Sequence, residues 1–183
     1  MIIWINGTFG AGKTTLAGEL HRRLPEAVLF DPEYIGYVLQ QTLPSYHGDF
    51  QHLPSWRELV VATVLSLRRQ EADTLLVPMT LINAAYQKEI FDGLADEGEQ
   101  KLHVFLNLDE SVLRRRINER IVNPDHPERD ERVRAFCLSH VAAGIAAARS
   151  QPEGTLVLRS DKLTPQELAD QVLASVHGLG NPR

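Results

Sequence analysis

The stretch Gly7–Thr15 (GTFGAGKTT) constrains the fold more than any other, because it follows the apolar run MIIWI almost directly. Gly7, Gly12, Lys13 and Thr14 satisfy the Walker A spacing G-x-x-x-x-G-K-[ST]. The glycines let the backbone bend around an anion and turn its N–H groups inward. A helix beginning at Lys13 adds the positive end of its dipole. The Lys13 ammonium is placed to reach the β- and γ-phosphates, and the Thr14 hydroxyl to ligate Mg²⁺. Gly7, Thr8, Phe9, Gly10, Ala11, Gly12, Lys13, Thr14 and Thr15 are therefore the expected ATP-binding residues. Thr15 is either a second phosphate contact or simply the next helical residue. The motif needs a strand before it and a helix after it. The sequence supplies both, with Leu16, Leu20 and Leu24 repeating at i+4.

The rest of the chain alternates in the same way. Apolar, β-prone segments at 2–5, 27–30, 74–80, 102–108 and 154–159 read as strands buried on both faces of a parallel sheet. Helices between them carry start signals: Asp31-Pro32, a Ser55/Glu58 capping box, Asn83, Asp109, and a Thr164/Glu167 capping box whose helix ends near Gly178. Five strands alternating with helices predict an α/β fold, a three-layer, doubly wound, five-stranded parallel sheet. No linker or repeat divides residues 1–183, so one domain is expected. Two irregular stretches, 44–54 and 122–130, stand out as functional loops.

Composition narrows the function classes. Of 183 residues, 43% are apolar and 23% charged, and the net charge of −5 argues against a nucleic-acid partner. A single cysteine, Cys137, allows no intrachain disulfide, and its helical apolar setting predicts a buried, inert thiol. No apolar run approaches the ~20 residues of a membrane span. The N-terminus lacks the basic leader of a signal peptide, so a cytoplasmic protein is expected.

Candidate chemistry outside the loop falls in four places. Asp31, at the end of the second strand, is the best carboxylate for orienting metal or taking a proton from an acceptor hydroxyl, since the third strand ends without an acid. Its other reading is a helix cap. Segment 109–134 carries Leu113, Ile117 and Ile121 as an apolar stripe and Arg116 with Arg120 at i,i+4. Like charges at that spacing repel mildly, and a shared phosphoryl group would offset the repulsion. A lid over about 114–134 would then exclude water. Ser160, after the last strand, can hold the base or merely connect strand to helix. On the acceptor side, about 31–57, Asp49, Phe50, Trp56 and Arg57 offer stacking and an anion grip, or else Trp56 is core and Arg57 is surface. His47 and His52 have no metal-ligand spacing.

The phosphate loop, the acidic end of the second strand and the arginine-bearing segment after the fourth resemble the P-loop kinase group that includes nucleoside monophosphate, shikimate and gluconate kinases. The segments IIWINGTFGAGKTT, ELHRRL, DPEYIGYVL, DFQHLPSWR and LLVPMT resemble, more specifically, the tunicamycin-resistance protein family. That resemblance implies ATP binding at Gly7–Thr15 and resistance to tunicamycin, a uridine-containing nucleoside antibiotic. Asp31 and residues 49–57 would face the drug. Lys13, Arg116 and Arg120 would stabilise the transferring phosphoryl group, with Thr14 on the metal. Two other functions stay open at this point: a small-molecule or nucleotide kinase with a metabolic acceptor, and a non-catalytic protein that sequesters the drug.

Overall fold

The computed structural model describes residues 1–121 and 124–179. β1 (Ile2–Gly7), β2 (Val28–Leu29), β3 (Leu75–Pro78), β4 (Lys101–Asn107) and β5 (Leu156–Arg159) form one sheet in the order β2-β3-β1-β4-β5. Every neighbouring pair is parallel. Parallel neighbours need crossovers, and helices provide them. These are α1 (Lys13–Arg23), α2 (Glu33–Thr42), α3 (Pro54–Gln70), α4 (Ala84–Asp96), α5 (Glu110–Glu119), α6 (Pro127–Ser139), α7 (Val141–Ala147) and α8 (Pro165–Leu179).

β1 lies between β3 and β4 and shows why both faces must be covered. Ile3 and Ile5 point into a cluster with Leu16 and Leu20 of α1, Leu113 of α5 and Val172 of α8. Ile2 and Trp4 point the other way, onto Trp56, Val60 and Val64 of α3 and Ile90 and Phe91 of α4. This is the two-residue period of a strand with two buried faces. Each fully buried aliphatic side chain contributes about 1.5–3 kcal/mol. The expectation of five doubly buried strands holds only for the centre. The edge strands β2 and β5 leave Leu29 and Val157 exposed, because no strand lies beyond them.

Asn83 accepts hydrogen bonds from Ala85 and Tyr86 N–H, Asp109 caps α5 through Ser111 N–H, and Thr164 and Glu167 cap α8 reciprocally. Other start signals need correction. α3 opens at Pro54, after Leu53, with no side-chain cap, so Ser55 and Glu58 form no capping box. α5 ends at Glu119 because Arg120 turns extended, which leaves Ile121 72% exposed and outside the apolar stripe. α6 begins at Pro127, so the expected irregular stretch ends earlier than 130. Val122 and Asn123 of the expected lid, and residues 180–183, lie outside the described residues. Among the described residues, no helix is long and apolar enough to cross a membrane.

Candidate active site

The phosphate loop turns at the carboxyl end of β1, in the crevice where ligands gather in open α/β sheets. Gly7 has φ +139°, and a Cβ there would sit 2.8 Å from the Leu106 carbonyl oxygen, so only glycine fits against β4. Gly12 has φ +98° and begins α1, whose first ladder bond runs from Leu16 N–H to its carbonyl. The N–H groups of the first turn are thus free by geometry to bind an anion. The Thr8 hydroxyl, buried beside Gly144 of α7, has no hydrogen-bond partner among the described residues.

Lys13 folds back over the loop. Its Nζ donates to the carbonyls of Gly7 and Thr8, both at 3.0 Å. Burial pulls its pKa down to about 8, partly opposed by the Glu33 carboxylate, with nearby Arg120 lowering it further. A desolvated ammonium hydrogen-bonded to neutral carbonyls is a strong attractor for phosphate oxygens. A cleft of about 430 Å³ opens beside it and brings together Lys13, Thr14, Asp31, Glu33, Arg116 and Arg120. Five of these were expected from the sequence, and Glu33 was not.

Two acids, Asp31 and Glu33, line the cleft where the sequence reading places Asp31 alone. Asp31 Oδ1 accepts the Glu33 N–H at 2.9 Å and fixes the start of α2. Glu33, the first residue of α2, accepts from the Tyr37 hydroxyl at 3.0 Å. Partial burial and the Glu33 charge push the Tyr37 phenol up to about 12. Glu33 lines both the phosphate cleft and a neighbouring cavity of about 310 Å³ between α2 and α6. The signal was present as a second acid in DPE, two residues on, passed over by a reading that takes Asp31 alone as the carboxylate at the strand end.

Arg116 and Arg120 both reach the cleft but differ in engagement. Arg116 donates to the Ser160 carbonyl at 2.8 Å and lies 3.3 Å from its hydroxyl. Ser160 is buried and lines a cavity of about 250 Å³ with Gly10, Leu163 and Pro165, on the far side of the phosphate loop. Cys137 is buried as expected, and burial raises its thiol pKa.

The acceptor side corrects two expectations. Trp56 is fully buried, its indole N–H bonded to the Pro32 carbonyl at 3.1 Å and its ring 5.3 Å from Phe50, so it is core and offers no stacking face. Arg57 is 8% exposed and is consumed internally. Its guanidinium meets Glu89 at 2.6 Å and the Gln51 carbonyl at 2.6 Å, and lies 4.3 Å from the Tyr86 ring centroid. It anchors the 3₁₀ turn Phe50–His52 and cannot grip an anion. Asp49 caps that turn through Gln51 N–H and still lines two cavities; Phe50 lines one of them.

The sequence also missed Asn6. Its Oδ1 accepts from Gly7 N–H at 2.7 Å and Leu81 N–H at 2.9 Å, and its Nδ2 donates to the Leu81 carbonyl at 2.7 Å. It ties the start of the phosphate loop to the segment after β3. Behind it, burial pulls His103 down to about 4, so the imidazole is neutral. Its Nε2 faces the amides of Asn6 and Gln87 and accepts, which assigns the proton to Nδ1, 3.0 Å from the Thr155 hydroxyl. A fully buried asparagine in an otherwise apolar strand was the available signal.

Mg²⁺ can be held by Thr14 with water-bridged Asp31 or Glu33 and phosphate oxygens, the oxygen-donor set that suits this ion. No cluster of three or more acidic, histidine or cysteine side chains that could hold a metal occurs among the described residues. The protein by itself therefore offers an incomplete cage, as expected for an ion that arrives with phosphates.

The AAA domain family profile matches residues 2–143, which include the phosphate loop, Asp31, Glu33 and both cleft arginines. The chain belongs to this family. This AAA domain is similar to the tunicamycin resistance protein of Deinococcus radiodurans, with 30% identity, coverage of 96% of this chain and 94% of that one, and a TM-score of 0.77. The likeness places it with the tunicamycin-resistance proteins. The Mycobacterium tuberculosis APS kinase, solved with AMPPNP and APS, shares 20% identity over 96% of both chains at a TM-score of 0.67. A gluconokinase from Sinorhizobium meliloti shares 16% identity over 97% of this chain and 91% of its own at a TM-score of 0.61. These two show that the fold is that of P-loop kinases. No curated protein matches in sequence.

Proposed function

We propose that this protein is an ATP-dependent phosphotransferase that acts on a nucleoside-type small molecule, with tunicamycin as the leading acceptor and drug resistance as the outcome. ATP phosphates occupy Gly7–Thr15, with the base toward Ser160. Thr14 would hold a Mg²⁺ ion that arrives with the nucleotide, and that ion would neutralise phosphate charge. Lys13 and Arg120 offset the charge that develops on the transferring group. Arg116, tied to Ser160, links the base side to the phosphates.

One observation carries this reading. Glu33 stands on the boundary between the phosphate cleft and the acceptor cavity, lining both. A carboxylate in that place can accept the proton of an attacking hydroxyl, while Asp31 is occupied in capping α2.

Single-turnover assays with γ-labelled ATP and tunicamycin test the proposal. Drug-dependent transfer of label is expected. Tight drug binding with ATP and drug both intact overturns it in favour of sequestration. Glu33→Gln is expected to slow transfer by about 10²–10⁴-fold while leaving nucleotide affinity near wild type.

A further inference from the structure

Helix α7 reads VAAGIAA, a run of small residues with one glycine among the alanines. Glycine is the poorer helix former of the two, so its place in mid-helix needs a reason. Backbone conformation gives none, because Gly144 keeps an ordinary helical φ. Space does. A Cβ at position 144 would sit 2.5 Å from both the Cβ and the hydroxyl oxygen of Thr8, in the phosphate loop. Carbon atoms in contact need about 1 Å more. Gly18 of α1 is the contrast: it is also helical, and a Cβ there would meet nothing within 4 Å.

Thr8 is 2% exposed, and its hydroxyl has no hydrogen-bond partner among the described residues, so packing holds this side chain. Its carbonyl oxygen shapes the loop. It accepts the Ala11 N–H at 3.1 Å and Lys13 Nζ at 3.0 Å. The next two residues are gripped from the same side. The Phe9 ring lies edge-on to Phe136 of α6 and to His140, with centroids 5.4 and 5.7 Å away. Gly10 lies against α5, where a Cβ would come 3.2 Å from Ile117 and 3.3 Å from Leu113. Three consecutive loop residues are thus set by helices from the second half of the chain. Asn6 holds the start of the loop from the β3 side.

We infer that Gly144 is a positioning residue for nucleotide binding. The missing Cβ lets α7 sit directly on Thr8, and that contact fixes the carbonyl to which Ala11 and Lys13 are bonded. A methyl group at position 144 would push Thr8 by about 1 Å, strain those two hydrogen bonds and turn the loop's N–H groups off the phosphates. Gly144 acts through Thr8 and has no contact with the nucleotide of its own. This rests on the nucleotide-binding half of the proposed function and is independent of whether phosphoryl transfer follows.

Calorimetric titration of the full chain with AMPPNP and Mg²⁺ tests the inference, alongside the melting temperature without nucleotide. Gly144→Ala is expected to weaken binding about tenfold or more, because it misplaces hydrogen bonds that involve charged groups. Gly18→Ala, which fills open space, is expected to bind AMPPNP as wild type does and to melt no lower. Thr8→Gly removes both atoms that a Cβ at position 144 would strike. Adding Gly144→Ala to Thr8→Gly should therefore change affinity by less than about twofold. If Gly144→Ala alone does not fold, the double variant is expected to fold and to bind within that same range of Thr8→Gly; a double variant that stays unfolded overturns the inference. So does a Gly144→Ala that melts lower yet binds like wild type, which is the mark of packing alone. So does an equal loss of affinity with and without the Thr8 side chain. Wild type that binds no AMPPNP sinks the nucleotide reading and this inference with it, whereas wild-type binding that Gly144→Ala leaves intact sinks this inference alone.

Discussion

The phosphate loop and the segment Asp49–Arg57 were both marked by the sequence, one as the donor side and one as the acceptor side, and they fared differently. The loop's chemistry comes from backbone geometry fixed by a few glycines and a helix start, so local sequence carries nearly all of it. The acceptor segment is chemically just as rich, but its side chains face partners far away in the chain. Arg57 finds Glu89, Gln51 finds the Thr80 carbonyl, and Trp56 finds the core beneath β1 and β3. Glu33, from a different helix, lines the cavity beside that segment, which Arg57 does not. A side chain type therefore predicts a ligand contact well when the backbone around it is self-defining, and poorly when a long-range partner can claim it.

The largest effect expected from this contrast is at Trp56. As a core residue, Trp56→Ala should cost about 3–5 kcal/mol of unfolding free energy in a urea titration. A ligand-stacking tryptophan would leave stability nearly unchanged, and that result would restore the sequence reading. Lys13→Met should do the reverse. Phosphoryl transfer should fall by about 10²–10³-fold, since the ammonium is the charge closest to the loop's anion site. Its melting temperature at pH 7 should not drop, because the variant loses a desolvated charge held only by carbonyls. A fall of several degrees would show that Lys13 supports the fold.

The smallest effect concerns pH. The Lys13 pKa is about 8 in the folded protein against an ordinary 10.5. Below pH 8 both folded and unfolded chains hold the proton, and the folded chain bears the full cost of burying it. Between about 8 and 10.5 the unfolded chain holds more protons, so stability rises with pH, by about 1.4 kcal/mol per unit at most. The difference in unfolding free energy between wild type and Lys13→Met should therefore shift in favour of wild type across that window, and stay flat below it. Nucleotide affinity should move oppositely. Phosphate favours the charged ammonium, so affinity should weaken above pH 8, by no more than tenfold per unit. A flat difference curve from pH 7 to 10.5 would place the Lys13 ammonium in water.

Much of the fold was legible. The alternation of apolar runs with capped helices gave five parallel strands, and Asn83, Asp109 and the Thr164/Glu167 box capped the helices assigned to them. Ile121 failed because a 3.6-residue stripe cannot report where a helix stops, and α5 unwinds at Arg120 just before it. Ser55/Glu58 failed because Pro54 already occupies the first helical position, its missing N–H being harmless there.

By itself, the sequence determined the parallel sheet, the phosphate loop at the end of its first strand and membership of a kinase-like family. Hydrophobic period, glycine spacing and helix starts are local properties of the chain, and each is written in consecutive residues. Only the tertiary structure decided that Glu33, and not Arg57, lines the cleft beside the phosphate loop, and that Asn6 ties that loop to the segment after β3. Those outcomes depend on which charges and amides meet after strands 1, 3 and 4 come side by side. Residues more than seventy positions apart, such as Asn6 and Leu81, settle it together.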